Sequence, residues 1–232
     1  MLALRTVEIP HLSPRPQAAA PANCPDAALE VRLAHASLRR LESKEHVFCE
    51  GDPRIHVFRI EEGVVAVYKT LPDGRRQVID FAYPGDLIGL GVLDEHVLSA
   101  QATCPAKVRC LSASALEHAA EADPNLALRL YKAVCQELAA TRNLLVTVGQ
   151  RSALERLASF LMMLHRRVGQ ESGGLVRLPM RRSDIADLLG LTIETVSRTI
   201  TKLKVMGLIE LRRGTEVRLV DLAQLTRLAE GA

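Results

Sequence analysis

The stretch Met180–Gly207, MRRSDIADLLGLTIETVSRTITKLKVMG, holds two helical patterns on either side of a glycine. In the first, Ile185, Leu188 and Leu189 recur at helical spacing and point inward. Ser183 is placed to cap its start. Gly190 ends it in the left-handed conformation that side chains resist. Thr192 then caps a second helix. Val196, Ile200 and Leu203 recur on one side of that helix and pack on the first; Glu194, Ser197, Arg198 and Thr201 fall on the other. A short helix held this way is the size and shape that enters a DNA major groove.

The outward residues have the chemistry for it. Arg198 can grip guanine O6 and N7 with two parallel hydrogen bonds, and ionised Glu194 accepts from a cytosine amino group. Ser197 suits a base edge, a phosphate or a thymine methyl. Each has an ordinary explanation alone: Glu is favoured in any first turn by the helix dipole, and a lone Arg is normally a solvated surface group. Together, behind a capped turn, they point to base reading, because a carboxylate facing phosphates needs a base donor to offset the repulsion. Arg181, Arg182, Ser183, Thr192, Thr195, Thr201 and Lys202 flank them as candidate backbone or supporting contacts.

Outward from this unit, LIELRRGTEVRLV after Gly207 reads as a hairpin turning at Gly214, a wing that brings Arg212 and Arg213 near phosphates. Upstream, Leu154, Leu157, Phe160, Leu161 and Leu164 mark an apolar helix over 152–168, which Ser172-Gly173-Gly174 breaks before an extended Leu175–Pro179. Residues 151–232 therefore read as a winged helix-turn-helix. They carry 14 Lys+Arg against 9 Asp+Glu, whereas residues 1–150 carry 16 against 18. The asymmetry suits a nucleic-acid partner, although numbers this small also fluctuate at random. Phe160, on the apolar side of its helix, is the only aromatic residue after Arg151, so no stacking platform exists for unpaired bases and double-stranded DNA is the expected partner.

Residues 1–25, rich in Pro and Ala, read as a flexible arm. Leu29, Leu33, Ala36, Leu38 and Leu41 predict a short helix within 26–45. From Val47 to Leu111, short β-branched runs alternate with Gly51, Gly63, Gly74, Gly85 and Gly91, and Asp73-Gly74 is a strong hairpin signal. A small β-barrel or jelly roll over 26–120 is predicted. Over 121–150, Pro124 opens a long helix in which Leu126, Leu130, Val134, Leu138, Leu145 and Val148 form an apolar seam. The seam fits a dimerisation helix. It also fits a helix packed on its own barrel, and Thr141 and Arg142 leave its register open.

The 232 residues, 48% hydrophobic and 25% charged, are ordinary for a globular protein. No apolar run reaches the roughly 18 residues of a membrane helix, and the N-terminus lacks the apolar core of a signal peptide. A cytoplasmic protein without a membrane partner is expected. Five scattered cysteines, Cys24, Cys49, Cys104, Cys110 and Cys135, form no disulfide framework, and Cys104 and Cys110 alone make no zinc site. A barrel enzyme of the cupin type would need clustered histidines, and no His-x-His occurs, so neither a bound metal nor an enzyme is expected.

From about Leu29 to Leu225 the chain resembles the Crp/Fnr family of bacterial transcription regulators. The resemblance rests on EEG (Glu61–Gly63), PGDLIGL (Pro84–Leu90), the long central helix and LTIETVSRTITKLKVMGLI (Leu191–Ile209). It implies an α+β fold with an N-terminal β-roll sensor domain like those that bind cyclic nucleotides, a long dimerisation helix and the winged helix-turn-helix. The E-T-V-S-R run at Glu194–Arg198 is similar to the Fnr/FixK branch, where the Glu, Ser and Arg read TTGA-type half-sites. That assigns base reading to Glu194, Ser197 and Arg198 in a homodimer on a TTGA-N6-TCAA-type palindrome, with RNA polymerase as a further partner.

The family's sensors can be tested against the residues. The cyclic-AMP pocket needs an Arg-Ser pair where Leu98-Ser99 stands, so the cyclic phosphate loses its main cation. An iron–sulfur cluster needs three cysteines in the N-terminal arm, which holds Cys24 alone; Cys110 stands where the fourth ligand would be. His46, His56 and His96 are candidate haem ligands without a local motif, and Cys104 and Cys110 are candidate redox thiols. Loss of the nucleotide and cluster signatures is similar to the FixK subgroup, which implies an activator of low-oxygen respiration, denitrification or nitrogen-fixation genes that needs no cofactor. The competing expectation is a relative whose DNA binding requires an effector, such as a small molecule or haem, in the β-roll.

Overall fold

The computed structural model describes residues 35–168, 173–212 and 215–231. The arm expected over 1–25, residues 26–34 of the span expected to hold a short helix, and Cys24, Ser172, Arg213 and Gly214 lie outside the described residues.

Eight strands form the N-terminal domain: β1 (Ser37–Leu41), β2 (His46–Phe48), β3 (His56–Glu62), β4 (Val65–Thr70), β5 (Arg76–Ala82), β6 (Leu87–Ile88), β7 (Ser99–Ala102) and β8 (Ala106–Ser112). They pair as two antiparallel sheets, β1-β8-β3-β6 and β2-β7-β4-β5. Leu41, Phe58, Ile60 and Val108 from the first sheet meet Val47, Phe48, Val65 and Ala100 from the second in one buried core. The β4–β5 hairpin turns at Asp73-Gly74. Gly74 takes φ +82, and the Asp73 carboxylate accepts the Arg75 N–H at 3.0 Å. In the EEG motif, Gly63 also has positive φ. A Cβ there would lie 2.5 Å from the Pro105 carbonyl oxygen, so this turn excludes any side chain.

The helix expected over 26–45 does not hold at Ser37–Leu41, which is strand β1, paired with β8 from Ser37↔Cys110 to Leu41↔Ala106. The flank of β8 offers a row of unpaired backbone groups, and five residues of extended chain satisfy them. That gain is non-local, so helical spacing in the sequence did not register it.

Ser112 caps α1 (Ala113–Ala122), accepting the Ala115 N–H at 3.3 Å. Asp123 caps α2 (Pro124–Gln150), a 27-residue helix with Pro124 in its first turn. The seam expected along α2 divides into two faces. Leu126 is fully buried with Val57, Leu116 and Ala119 of the same chain, and Leu130 packs beside them. At the far end, Val148 touches the turn at Gly190, whose added Cβ would come within 3.2 Å of its Cγ1. Leu126, Leu130 and Val148 are thus occupied by the chain's own domains. Val134, Leu138 and Leu145 face solvent, joined there by Leu128 and Tyr131. The helix carries two apolar stripes, and periodicity alone merges them.

The C-terminal domain comprises α3 (Ala153–Val168), β9 (Leu175–Arg177), α4 (Arg182–Leu189), α5 (Ile193–Val205), β10 (Ile209–Leu211), β11 (Glu216–Leu219) and α6 (Leu222–Glu230). Its strands form an antiparallel sheet in the order β10-β11-β9. This domain does not stand apart from the β-roll. Along β4 the pleat sends Val65 into the roll and its neighbours Val64, Ala66 and Tyr68 outward. Those outward residues, with Val78 and Phe81, share one buried core with Leu157, Phe160, Leu164, Leu189 and Leu203. Phe81 and Phe160 meet at 6.2 Å between ring centroids.

Asp80 lies at this junction. Burial pushes its carboxyl up to about 6, against the opposing pull of Arg167 and of the Phe81 N–H. A carboxyl whose folded value exceeds its unfolded one takes up its proton first in the folded chain. Stability therefore falls as pH rises from about 4 to about 6, and the cost persists above that. Asp80→Asn removes the charge and keeps the shape. It is expected to raise stability by ~1–2 kcal/mol at pH 7.5, read as a higher melting temperature, after discounting the shift for solvent relaxation. At pH 4 the two proteins should melt together; an equal gain at both values would exclude the carboxyl's charge as the cause.

Candidate nucleic-acid interface

Helix α4 begins with Arg181 at its N-cap in extended conformation. Ser183 is therefore not the cap, as its residue type suggested; it sits inside the first turn. The cap comes instead from Asp184, whose carboxylate accepts the Arg181 N–H at 2.8 Å. A carboxylate three residues in does the work of the hydroxyl and also complements the helix dipole. Gly190 ends the helix at φ 62, ψ 42, and the Leu191 N–H closes on the Ala186 carbonyl at 3.0 Å. Thr192 starts α5, its hydroxyl accepting the Thr195 N–H at 3.2 Å.

On α5, Val196, Ile200 and Leu203 are buried, while Glu194, Arg198, Thr201 and Lys202 are exposed and Ser197 is half-buried. The candidate reading residues thus share one accessible face. The Glu194 carboxyl is held below the usual carboxylate range, first by its own N–H, then by the Thr192 hydroxyl, with Arg198 one turn on adding attraction. It remains an ionised acceptor, the form that pairs with a cytosine amino group. The Thr195 hydroxyl lies 3.0 Å from that of Thr192, and the Thr201 hydroxyl donates to the Ser197 carbonyl at 3.0 Å. Thr195 is half-buried beside the cap, whereas Thr201 remains exposed on that face with its hydroxyl bonded to the turn before it. Arg181 and Arg182 are exposed at the start of α4.

Strands β10 and β11 form the wing, in register from Ile209↔Leu219 to Leu211↔Val217. Arg212 donates to Glu210 at 2.7 Å, both side chains about half exposed. Such a surface pair is worth little, so a phosphate can replace the carboxylate.

Sequence reasoning missed three residues that hold this surface. Arg156 on α3 donates to the Leu189 carbonyl at 2.9 Å, satisfying the end of α4 across the turn. Arg76 and Gln77 reach from β5 of the roll. Arg76 bonds the Asp184 carboxylate and that of Asp187, the latter at 3.1 Å, and Gln77 donates to the Asp187 carbonyl at 2.7 Å. Arg76 and Gln77 lie more than 100 residues from their partners and Arg156 lies 33 from Leu189, so no local pattern reveals them.

Residues 155–228 match the Crp-like helix-turn-helix domain, and residues 38–123 match the cyclic nucleotide-binding domain. The chain is 40% identical over 207 residues to the nitrogen fixation regulation protein FixK of Bradyrhizobium diazoefficiens, covering 88% of this chain and 87% of that one. The chain belongs to the Crp/Fnr family. It is also 40% identical over 167 residues to the transcriptional activatory protein AadR of Rhodopseudomonas palustris, covering 71% of this chain and 70% of that one. The solved structure of FixK2 from Bradyrhizobium japonicum superposes with a TM-score of 0.79 at 35% identity, over 83% of this chain and 96% of that one. The chain is a FixK-like Crp/Fnr protein: a DNA-binding transcription activator by family, with a cyclic-nucleotide-type β-roll and a Crp-like helix-turn-helix. The family consists of regulators, not enzymes.

The β-roll of this Crp/Fnr protein places its sensor candidates as follows. Ser99 is buried and its hydroxyl accepts the Glu50 N–H at 2.9 Å, beside Leu98, which carries no charge. His46 Nε2 lies 2.8 Å from the Tyr68 hydroxyl. His96 stacks on Phe48 at 3.8 Å, and burial holds its imidazole below the usual range. Cys110 is half-buried against the roll's core, Cys104 is half-buried outside the strands, and Cys49 and Cys135 are exposed. Among the described residues no group of three or more His, Cys, Asp or Glu side chains is placed to hold a metal ion. Among them also, no helix is long and apolar enough to cross a membrane.

Proposed function

We propose that this Crp/Fnr protein reads TTGA-N6-TCAA-type palindromes as a homodimer, with no ligand in its β-roll, and activates low-oxygen genes such as those of nitrogen fixation or denitrification. RNA polymerase is its partner at the promoter. The observation that carries this reading is the accessible face of α5, where Glu194, Ser197 and Arg198 stand together while the domain is docked on the roll. No effector is needed to uncover it. The uncharged Leu98 beside Ser99 supports the same view, since a cyclic phosphate would find no cation there. The nitrogen-fixation assignment rests on the likeness to FixK proteins.

The test is fluorescence anisotropy of the ligand-free protein in air, on the palindrome and on the same duplex with its half-site G·C pairs changed. Salt must be fixed, because phosphate contacts make all such affinities salt-dependent. Tight binding that depends on the G·C pairs is expected. Weak binding to both duplexes would overturn effector independence and direct attention to the roll's interior.

A further inference from the structure

Two arginines bridge the β-roll and the DNA-binding domain in the same way from opposite sides. Arg76 on β5 lies over the Tyr68 ring at 4.8 Å and bonds Asp184 and Asp187 of α4. Arg167 on α3 lies over the Tyr83 ring at 4.6 Å and bonds Asp86 of the roll at 2.8 Å. Each guanidinium lies over a tyrosine ring of the roll and pairs across the junction, Arg76 with two carboxylates through a fork of donors and Arg167 with one through Nη1. Planar stacking plus forked donors is the geometry arginine supplies and lysine does not. Between the two bridges runs the shared apolar core around Phe81 and Phe160.

We propose that Arg76 and Arg167 are positioning residues for DNA recognition: they staple the reading domain to the roll and so set the separation and angle of the two reading helices in a dimer. This rests on the palindrome reading above. The covalent link alone would not do it, since Arg151, in extended conformation, and Ser152 interrupt the helix between α2 and α3 and leave a pivot there. Asp184 makes the coupling direct, because the same carboxylate that takes Arg76 caps the helix behind which α5 is held. One added base pair moves a half-site by about 3.4 Å and turns it by ~35°. Two stapled heads cannot follow that change, and two released heads can.

The experiment compares the full-length parent with R76A/R167A on palindromes whose six-base spacer is shortened or lengthened by one, and on a single half-site duplex. The parent should lose about tenfold or more in affinity with either altered spacer, and the variant about threefold or less, with half-site binding unchanged. Equal spacer discrimination in the two proteins overturns the staples. If R76A/R167A also loses half-site binding, R76K/R167K decides: it keeps both charges without the forks, and parent-like discrimination there overturns the proposal while partial loss supports it. A parent that ignores half-sites altogether overturns the palindrome reading instead. Calorimetry without DNA then tests the docking itself. The shared apolar core still joins the domains in R76A/R167A, so the variant should melt at a lower temperature than the parent, and a variant that melts as the parent does overturns the staples.

Discussion

Leu138→Glu should yield monomers and weaken binding to the palindrome by about a hundredfold or more, because the second half-site contact ceases to be intramolecular. The exposed stripe of α2 runs through Leu128, Tyr131, Val134, Leu138 and Leu145, with Tyr131, Leu138 and Leu145 spaced by sevens. Tyr131 is 66% and Leu145 73% exposed in the single chain, away from Leu126, Leu130 and Val148, through which the two ends of the helix pack on the chain's own domains. Large apolar residues in such a row mark a contact surface. Across a twofold, parallel pairing brings Leu138 near its own copy. A glutamate there puts two like charges into the seam with no partner, which breaks association. Sedimentation or light scattering reads the oligomer, and anisotropy the affinity; an intact dimer would remove this face from the interface. Leu126→Glu makes a useful contrast, since that side chain is buried in its own subunit and the change should lower the melting temperature instead.

Arg198→Ala should cost about 1–3 kcal/mol on the palindrome, roughly a 5- to 150-fold loss, and relax the preference at one G·C pair per half-site. The side chain is exposed on the face of α5 that carries Glu194, and truncating it disturbs no buried contact, so the fold should melt as the parent does. Binding to a scrambled duplex should weaken far less than binding to the palindrome. If the variant and the parent bind both duplexes alike, Arg198 does not read a base.

The helix-turn-helix was legible from sequence because its determinants are local. The apolar spacing of Ile185, Leu188 and Leu189, the left-handed Gly190 and the Thr192 cap all act within a turn or two of chain. The Asp73-Gly74 hairpin was legible for the same reason. Ser183 misled because residue type favours it as a cap, while the geometry gives that role to Asp184 from three positions along. Strand β1 misled because its partner, β8, lies some 70 residues away and alone decides that Ser37–Leu41 is extended.

The amino-acid sequence by itself determined the elements with local causes, the family, and which side chains stand as candidates to read DNA: Glu194, Ser197 and Arg198. Only the tertiary structure decided which stripe of α2 is spent on the chain's own domains and which is left open. It also brought Arg76, Gln77 and Arg167 into hydrogen bonds across the junction of the two domains, and Arg156 onto the end of α4 within its own domain. The physical reason is the range of the forces. Caps, turns and periodicity act between neighbours in the chain. Burial and ion pairing act between surfaces that become neighbours only when the β-roll and the helix-turn-helix close on one core.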